Sequence, residues 1–442
     1  MKKWKKWLSA GLLALCVAQL CGCAMTVEQM YCLPRRSERY ENLQAVMDEA
    51  MDSLEYSAPA AGENQQIVQM ADLDGDGESE IILFAKGGQS DPLKILLFQQ
   101  VEDGYEYMTT IESTGTGFDQ VEYVQMDGKP GLEMIVGRQV SDQVLHNVSV
   151  YSFADGQPKQ LLCANYDKFR TCDLDSDGLS DLFLSHPGEE ESSRAVAVLY
   201  TMPGGTVERS AEADLSVGSE RLRRIVTGKL QTGEPAVYVA GLAGEEAVIT
   251  DVFALVDGGF KNVSFSNESG TSVNTLRNYY VYADDIDNDG VVELPDLITV
   301  QASSDEESAT KQYLIRWYAM CSDGSEVEKK FTYHNFLDGW YLELEKEMGL
   351  RTVVTRDTEG GYQFNLLDVS GENRVLLFTI YTVTGEERMN VAQQADLQEI
   401  LKTDNVVYAV KLESAAAEQG ITLDHLTNCF CLIQTDWKTG EM

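Results

Sequence analysis

An acidic loop motif followed by an apolar run recurs along the chain. Its first copy, residues 71–83, reads Ala71-Asp72-Leu73-Asp74-Gly75-Asp76-Gly77-Glu78-Ser79-Glu80-Ile81-Ile82-Leu83. Two further full copies occupy residues 172–184 and 284–294. A worn copy lies at residues 125–136, and a still weaker one lies at residues 229–239. An internal repeat of this kind is the strongest single indication of the architecture.

The copies recur at a nearly constant period. The residues that close the loops are Glu80, Glu133, Asp181, Ala236 and Glu293, which are separated by steps of 53, 48, 55 and 57 residues. Short strand patterns with Gly, Asp and Asn at the breaks fill the sequence between the loops. Such a period is typical of one four-stranded propeller blade. The sequence therefore predicts a mainly β fold: a β-propeller with five readable repeats and a total of six or seven blades.

Each full copy supplies the ligands of a hard cation. Aspartates at positions 1, 3 and 5 of a tight loop point inward, and glycine at position 6 permits the sharp turn. Position 7 offers a main-chain carbonyl and position 9 a further carboxylate. The predicted calcium ligands are Asp72, Asp74, Asp76, Glu78 and Glu80; Asp173, Asp175, Asp177, Leu179 and Asp181; and Asp285, Asp287, Asp289, Val291 and Glu293. We therefore expect about three Ca²⁺ ions. In the worn copy Lys129 replaces the middle acid, and its own charge could stand in for a metal.

Two other interpretations of the loops are weaker. An EF-hand begins in the same way but ends with an acid at position 12, between two helices. Position 12 is Leu83 in the first loop and Leu184 in the second, both within strand-like runs, whereas Asp296 occupies it in the third. Asp-Gly segments also form good turns without any metal. Three nine-residue matches at repeat spacing favour calcium over both alternatives.

The loops, each followed by an apolar strand, resemble the FG-GAP or VCBS-type repeats of integrin-alpha-like propellers over roughly residues 65–330. The Phe-Gly before the loop and the Gly-Ala-Pro after it are absent; residues 83–87 read Leu-Phe-Ala-Lys-Gly instead. The whole chain resembles lipid-anchored FG-GAP/VCBS-like lipoproteins of Gram-positive bacteria. That resemblance implies calcium loops between blade strands and a role in surface binding or adhesion, without naming a ligand.

The N-terminus has the pattern of an exported, lipid-anchored protein. Four lysines precede an almost wholly apolar or small run at residues 8–20, which is too short to be a confident membrane span. Cys23 follows Gly22 and lies three residues after Leu20, as the lipidated cysteine of a bacterial lipobox does. We expect Cys23 to carry a diacylglycerol that anchors the protein to the outside of the cell membrane. An ordinary secretory signal with incidental cysteines is the alternative.

The sequence divides into four segments. Residues 1–22 are the predicted signal peptide, residues 23–64 the lipidated cysteine, a tether and a helix over 37–54, residues 65–330 the propeller repeats, and residues 331–442 a C-terminal α+β module. In the module we predict helices over 392–401 and 413–419, and strands over 340–344, 375–384, 406–412 and 429–434. Alternatively, residues 364–381 form one more degenerate blade.

Composition limits the classes of partner. The 442 residues include 34 Lys and Arg against 72 Asp and Glu, a formal charge of −38, which argues against binding nucleic acid. A hydrophobic fraction of 43% excludes wholesale disorder. The cysteines show no zinc spacing; a Cys163–Cys172 disulfide is the less favoured alternative to free thiols.

The sequence contains no catalytic signature. None of the four histidines lies in H-E-x-x-H, and neither a nucleophile elbow nor a P-loop is present. The favoured hypothesis is a non-catalytic, lipid-anchored binding or adhesion protein with an unknown glycan, cell-wall or protein ligand. One alternative is an extracellular hydrolase or lyase that acts on polysaccharide or lipid through carboxylates on the propeller. The other is a structural envelope protein that binds a protein partner.

Overall fold

The computed structural model describes residues 38–88, 92–102, 104–140, 146–186, 194–245, 247–299, 313–371, 373–386, 388–392 and 396–433. The predicted signal peptide and Cys23 lie outside the described residues. Among the described residues, none of the helices combines the length and the apolar character that crossing a membrane requires.

Six antiparallel sheets follow one another along the described chain. Sheet 1 contains β1 (Glu55–Tyr56), β2 (Val68–Ala71), β3 (Glu80–Lys86), β4 (Leu93–Val101) and β5 (Gly104–Ser113). Sheet 2 contains β6 (Gly117–Val124), β7 (Glu133–Gln139), β8 (His146–Ser152) and β9 (Lys159–Tyr166). Sheet 3 contains β10 (Lys168–Cys172), β11 (Asp181–His186), β12 (Val196–Thr201) and β13 (Glu208–Asp214).

The remaining sheets continue the series. Sheet 4 contains β14 (Leu222–Lys229), β15 (Pro235–Leu242), β16 (Val248–Val256) and β17 (Gly259–Asn262). Sheet 5 contains β18 (Glu293–Thr299), β19 (Tyr313–Met320), β20 (Glu326–Asn335) and β21 (Trp340–Leu344). Sheet 6 contains β22 (Thr352–Arg356), β23 (Tyr362–Leu367), β24 (Arg374–Thr384), β25 (Gln398–Lys402) and β26 (Val406–Leu412), and β27 (Phe430–Leu432) returns to pair with β21.

Each of the five predicted repeat copies lies on its own sheet. In sheets 1–4 the acidic loop or its worn equivalent joins the first long strand to the second, and the following strands pair in sequence order. Glu80, Glu133 and Asp181 are the first residues of β3, β7 and β11, and Glu293 begins β18. In sheet 5 the strand before the loop is reduced to a single bridge between Asp284 and Glu293. Strands follow these loops, which excludes the EF-hand interpretation.

Consecutive sheets pack face to face through large apolar side chains. Phe84 of sheet 1 meets Phe118 of sheet 2 with ring centroids 5.0 Å apart, and Phe183 of sheet 3 meets Phe253 of sheet 4 at 5.4 Å. The same pattern continues from sheet 4 to sheet 5 and from sheet 5 to sheet 6. Because the second strands are buried on both faces, they read as unbroken apolar runs rather than alternating ones.

Helices cover faces of the first and last sheets. Helix α1 (Glu38–Ala50) lies on the face of sheet 1 opposite sheet 2, where Met47 packs near Ile81 and Leu83. The other helices are α2 (Lys346–Gly349), α3 (Arg388–Ala392), α4 (Ser414–Glu418) and α5 (Leu423–Cys429). Ala392 of α3 packs with Val407 and Ala409 of sheet 6. The helix predicted over residues 37–54 is thus present and somewhat shorter.

Two element predictions in the C-terminal segment are wrong. The helix predicted over 392–401 is instead the end of α3 followed by β25, in which Ile400 faces the core. The apolar spacing of so short a segment fits either period, and pairing with β26 decides between them. The strand predicted over 429–434 also begins later, because Cys429 ends α5. The strands predicted over 340–344 and 406–412 have the predicted bounds.

The expected boundary at residue 330 falls inside strand β20. Sheet 5 therefore contains residues from both of the segments that the sequence separated. The hairpin of β23 and β24 covers the residues 364–381 that were the candidate for a degenerate blade, and it belongs to sheet 6. Cys163 and Cys172 are free thiols, so the disulfide alternative is not present.

Candidate metal centre

The three full loops share one pattern of main-chain hydrogen bonds to carboxylates. We number them by sheet: loop 1 (residues 72–80), loop 3 (173–181) and loop 5 (285–293). The amide of the glycine at position 6 donates to the aspartate at position 1, in Gly77–Asp72 at 3.1 Å, Gly178–Asp173 at 3.0 Å and Gly290–Asp285 at 2.8 Å. The amide at position 7 donates to the aspartate at position 5 at 2.8 Å in all three loops. The turn is therefore built around the acids themselves.

The closing acid connects each loop to its sheet. Its carboxylate accepts a hydrogen bond from the amide at position 2, in Leu73–Glu80 at 2.8 Å, Leu174–Asp181 at 3.1 Å and Ile286–Glu293 at 3.1 Å. The side chain at position 2 is buried in each loop. Because the closing acid begins a central strand and the apolar side chain enters the core, both ends of the loop have fixed positions.

Carboxylate oxygens converge in each full loop. The residues whose candidate ligand atoms lie within 4.8 Å of one another are Asp72, Asp74 and Glu80; Asp173, Asp175 and Asp177; and Asp285, Asp287 and Asp289. The other predicted ligands lie on the same loops but outside these clusters: Asp76, Glu78, Leu179, Asp181, Val291 and Glu293. Each cluster could hold a metal ion, and a set of carboxylate oxygens suits a hard cation such as Ca²⁺.

Loop 5 provides a test of whether a cation fits. Asp287 Oδ1 and Glu293 Oε1 are buried and have no hydrogen-bond partner among the described residues. A buried anionic oxygen without a donor is costly unless a cation lies near it. Lys329 Nζ lies 3.1 Å from Asp289 Oδ2 and 3.9 Å from Glu293 Oε1, which supplies only one positive charge to four acids. The loop therefore has room in its electrostatics for a divalent ion.

The closing acids resist ionisation in the absence of a metal. Burial raises the pKa of Glu80 to about 6, and repulsion by Asp74 and Asp76 raises it further. Burial likewise raises the pKa of Asp181 to about 6 and that of Glu293 to about 7, again with a contribution from neighbouring aspartates. A bound cation would favour the ionised carboxylates and reverse these shifts.

Loop 2 (residues 125–133), the worn copy, has a different interior. Lys129 Nζ donates to Asp127 Oδ2 at 2.7 Å, so a lysine charge compensates an acid there. Gln125 replaces the first aspartate and donates to the carbonyl of Gly131 at 2.8 Å. The hydrogen bond from the amide of Met126 to Glu133 is retained at 2.9 Å. Loop 2 therefore keeps the frame of the motif while a side-chain ion pair takes the place of the carboxylate cluster.

Main-chain hydrogen bonds join neighbouring loops at equivalent positions. The amide at position 8 of one loop donates to the carbonyl at position 1 of the loop before it. These bonds are Leu132 to Asp72 at 3.1 Å, Ser180 to Gln125 at 2.7 Å and Val292 to Lys229 at 3.2 Å. Such bonds leave no signal in the sequence, because any residue except proline can donate its amide.

The comparisons with known proteins concern the fold alone. No family model matches the chain, and no curated protein matches it. A rhamnogalacturonan lyase from Bacillus licheniformis is 12% identical, with 73% of this chain and 72% of that chain covered and a TM-score of 0.32. A putative 6-phosphogluconolactonase from Bacteroides fragilis is 10% identical, with 74% and 94% covered and a TM-score of 0.25. Likenesses this weak assign no activity and no ligand to this chain.

Proposed function

We propose that this chain is a lipid-anchored extracytoplasmic binding protein whose β-propeller is stabilised by about three calcium ions. The observation that carries the proposal is the recurrence of one carboxylate cluster, with one hydrogen-bond scheme, on three sheets of the same molecule. Its agreement with the FG-GAP/VCBS-like resemblance of the same residues supports the assignment. A single acidic turn would support no such inference.

We interpret the six sheets as the blades of the propeller. The first strands of sheets 2, 3 and 4 contribute residues to one shared cavity, as strands nearest a common axis would. Helix α1 occupies the outer face of the first blade. In this arrangement the first and last blades use helices to cover apolar faces, which a repeat array otherwise leaves exposed at its ends.

Calcium in this proposal orders the loops and connects them. Each ion would neutralise carboxylates that otherwise repel, and the position-8 hydrogen bonds would pass that order to the adjoining blade. Metal binding would then contribute directly to the free energy of folding. The surface formed by the ordered loops is the proposed site for a glycan, cell-wall or protein ligand. The charge of −38 makes nucleic acid an unsuitable partner.

A paired measurement tests the proposal. The full-length protein in detergent is screened against glycans and cell-wall fractions, with calcium and with a chelator, while product formation is followed in the same samples. We expect calcium-dependent binding without turnover. Release of shortened products would instead favour the hydrolase or lyase alternative, and binding that ignores calcium would remove the proposed role of the loops.

The lipid anchor has its own test. Replacing the predicted acceptor, Cys23→Ser, should leave an unlipidated precursor that no longer acquires a diacylglycerol. Mass spectrometry of the membrane fraction distinguishes the lipidated from the unlipidated chain. A variant lipidated like the wild-type protein would contradict the assignment of Cys23.

A further inference from the structure

A cavity of about 100 Å³ lies where the first strands of three consecutive sheets approach one another. β6 contributes Asp119 and Gln120, β10 contributes Arg170, and β14 contributes Arg223 and Arg224. The cavity lies apart from the acidic loops, because none of the residues of loops 1, 3 or 5 lines it. It is therefore a separate feature of the fold, and it combines side chains that are far apart in the sequence.

The lining of the cavity is cationic. Four positively charged side chains face two carboxylates, namely Arg170, Arg223, Arg224 and Lys168 against Asp119 and Asp167. The chain as a whole carries 72 acidic and 34 basic residues, so a local excess of guanidinium groups opposes the composition of the protein. Such an excess inside a cavity is costly for folding unless it serves a ligand, because charged groups lose solvation on burial.

The hydrogen bonds of the arginines leave their charge available. Arg223 Nη1 donates to the main-chain carbonyls of Glu220 and Leu222 at 3.0 and 2.9 Å, and among the described residues it has no ion pair. Arg170 Nη1 donates to the neutral amide oxygen of Gln120 at 3.2 Å, and burial lowers the pKa of Arg170. These contacts orient the guanidinium groups without neutralising them.

The two carboxylates of the cavity are partly compensated by other groups. The hydroxyl of Tyr166 donates to Asp119 Oδ2. Burial raises the pKa of Asp167 to about 6, so near neutral pH this acid is the weaker of the two as a counter-charge. The cavity therefore keeps a net positive character.

We propose that this cavity binds the anionic group of a small polar ligand, a carboxylate or a phosphate carried on a sugar. Guanidinium groups recognise both planar carboxylates and phosphates through paired N–H donors, and three of them lie on two adjacent strands here. The volume suits the charged group, with the rest of the ligand extending from the open side. This inference names the ligand class of the binding function proposed above and rests on it.

Three ligands that differ in one substituent test the proposal. Glucuronate, glucose 6-phosphate and glucose are titrated calorimetrically into the full-length protein in detergent with calcium present. We expect one or both of the charged sugars to bind, and glucose to bind at least about tenfold more weakly. A preference between the two charged sugars identifies the carboxylate or the phosphate as the recognised group. Equal binding of glucose, or no binding of either anion, would overturn the proposal.

A matched pair of variants places the binding in the cavity. Arg223→Gln removes one guanidinium from the lining, whereas Arg209→Gln removes an equally charged side chain from the outer strand β13. We expect Arg223→Gln to weaken binding about tenfold or more and Arg209→Gln to leave it unchanged. Lys168→Gln is a second lining variant at an exposed position, for use if Arg223→Gln folds poorly. Equal effects of the lining and control variants would contradict the assignment.

The two levels of proposal fail separately. If calcium stabilises the protein and the glycan screen is positive while neither charged sugar binds, the cavity proposal is wrong and the binding function stands. If calcium has no effect and the screen is negative, the binding function fails as well.

Discussion

At the scale of single residues, the loops depend on two backbone positions rather than one. Glycine at position 6 adopts a positive φ of 85–90° in all three full loops. Position 4 does so as well, through Gly75 at 79°, Ser176 at 63° and Asn288 at 59°. The sequence analysis recognised only position 6, because glycine is invariant among the three copies only there. Asparagine tolerates the left-handed region better than serine, so Ser176 is the strained member of the set.

Relieving that strain should stabilise loop 3. We expect Ser176→Gly to raise the free energy of unfolding by about 0.5–1 kcal/mol, because glycine adopts a positive φ without a Cβ clash. Ser180→Gly, at position 8 of the same loop, is the control and should be neutral or destabilising. Denaturant unfolding in the presence of a chelator measures both variants without the influence of calcium affinity. A loss of stability in Ser176→Gly would contradict the assigned strain.

A second residue-scale effect concerns His334, which is buried against Tyr341 with ring centroids 5.0 Å apart. Burial lowers the pKa of His334 to about 3, below the value of about 6.5 in an unfolded chain. Protons therefore bind the unfolded state first, and the free energy of unfolding falls as pH decreases below about 6.5. The loss should reach about 2 kcal/mol by pH 5.

Replacing the titrating ring tests this pH dependence. His334→Phe keeps an aromatic ring in the same contact and removes the proton-binding group. We expect the difference in unfolding free energy between variant and wild type to grow by about 2 kcal/mol from pH 7.5 to pH 5. Urea unfolding across that range measures it. Parallel pH curves for the two proteins would show that His334 does not titrate as described.

At the scale of the element, a loop and the strand after it act as one unit. The closing acid is at once a loop residue and the first residue of a central strand. This arrangement explains why the motif continues into an apolar run: the cluster needs a rigid wall, and a fully buried strand provides one. It also means that a loss of order in the loop reaches the sheet directly.

Removing one carboxylate from each cluster should abolish the response to calcium. The position-3 substitutions Asp74→Asn, Asp175→Asn and Asp287→Asn keep the side-chain volume and remove a charge. Calcium at about 100 times its Kd should stabilise the wild type by about 2.7 kcal/mol per site and the triple variant by almost nothing. With chelator present, the triple variant should be the more stable protein, because fewer acids repel one another.

The same experiment has a pH dependence with a defined sign. Glu80 and Asp181, whose pKa values are raised to about 6, must be ionised when the metal binds. Protons compete with calcium, so the thermal shift produced by calcium should shrink as pH decreases from 8 to 5. Differential scanning calorimetry at several pH values measures this shift. A calcium effect that grows on acidification would rule out these carboxylates as ligands.

Loop 2 shows why a single substitution would not restore a site. Pro130 occupies position 6, where the full loops require a positive φ that the proline ring forbids. We expect Gln125→Asp with Lys129→Asp to leave the calcium stoichiometry unchanged, and the addition of Pro130→Gly to raise it by one. Isothermal titration calorimetry counts the sites. A fourth site in the double variant would show that charge alone, rather than the turn, disables this loop.

At the scale of the whole molecule, the ends of the sheet array are as informative as its repeats. Sheet 1 packs on sheet 2 with one face and on α1 with the other. Sheet 6 packs on sheet 5 and is covered in part by α3. β27 returns from the C-terminal region to complete sheet 5, so the last segment of the chain also secures an earlier sheet.

The contact of α1 with sheet 1 should contribute substantially to stability. Met47 is 8% exposed and packs with Ile81 and Leu83. We expect Met47→Ala to lower the free energy of unfolding by about 2–3 kcal/mol, because it removes buried methylene groups and leaves a cavity. Glu49→Ala, on the exposed side of the same helix, is the control and should stay within about 0.5 kcal/mol. Equal effects would show that α1 does not support the sheet.

The sequence by itself determined the features that a window of about a dozen residues contains. The spacing of the acids in residues 72–80, the turn glycines and the apolar run after them predict a loop and a buried strand, because ligand geometry and backbone torsions are local. The period then placed one copy on each of five sheets. Residues 392–401 were misassigned because a short apolar pattern fits two periods when its partner strand is unknown.

Only the tertiary structure decided which segments meet. Arg170 and Arg223 are far apart in the chain, and nothing near either residue indicates that they line one cavity. The same holds for the bonds between loops at position 8, for the covering of sheet 1 by α1 and for the return of β27 to sheet 5. These contacts depend on how whole sheets pack, and that packing balances buried area against chain entropy over the entire molecule rather than within any single segment.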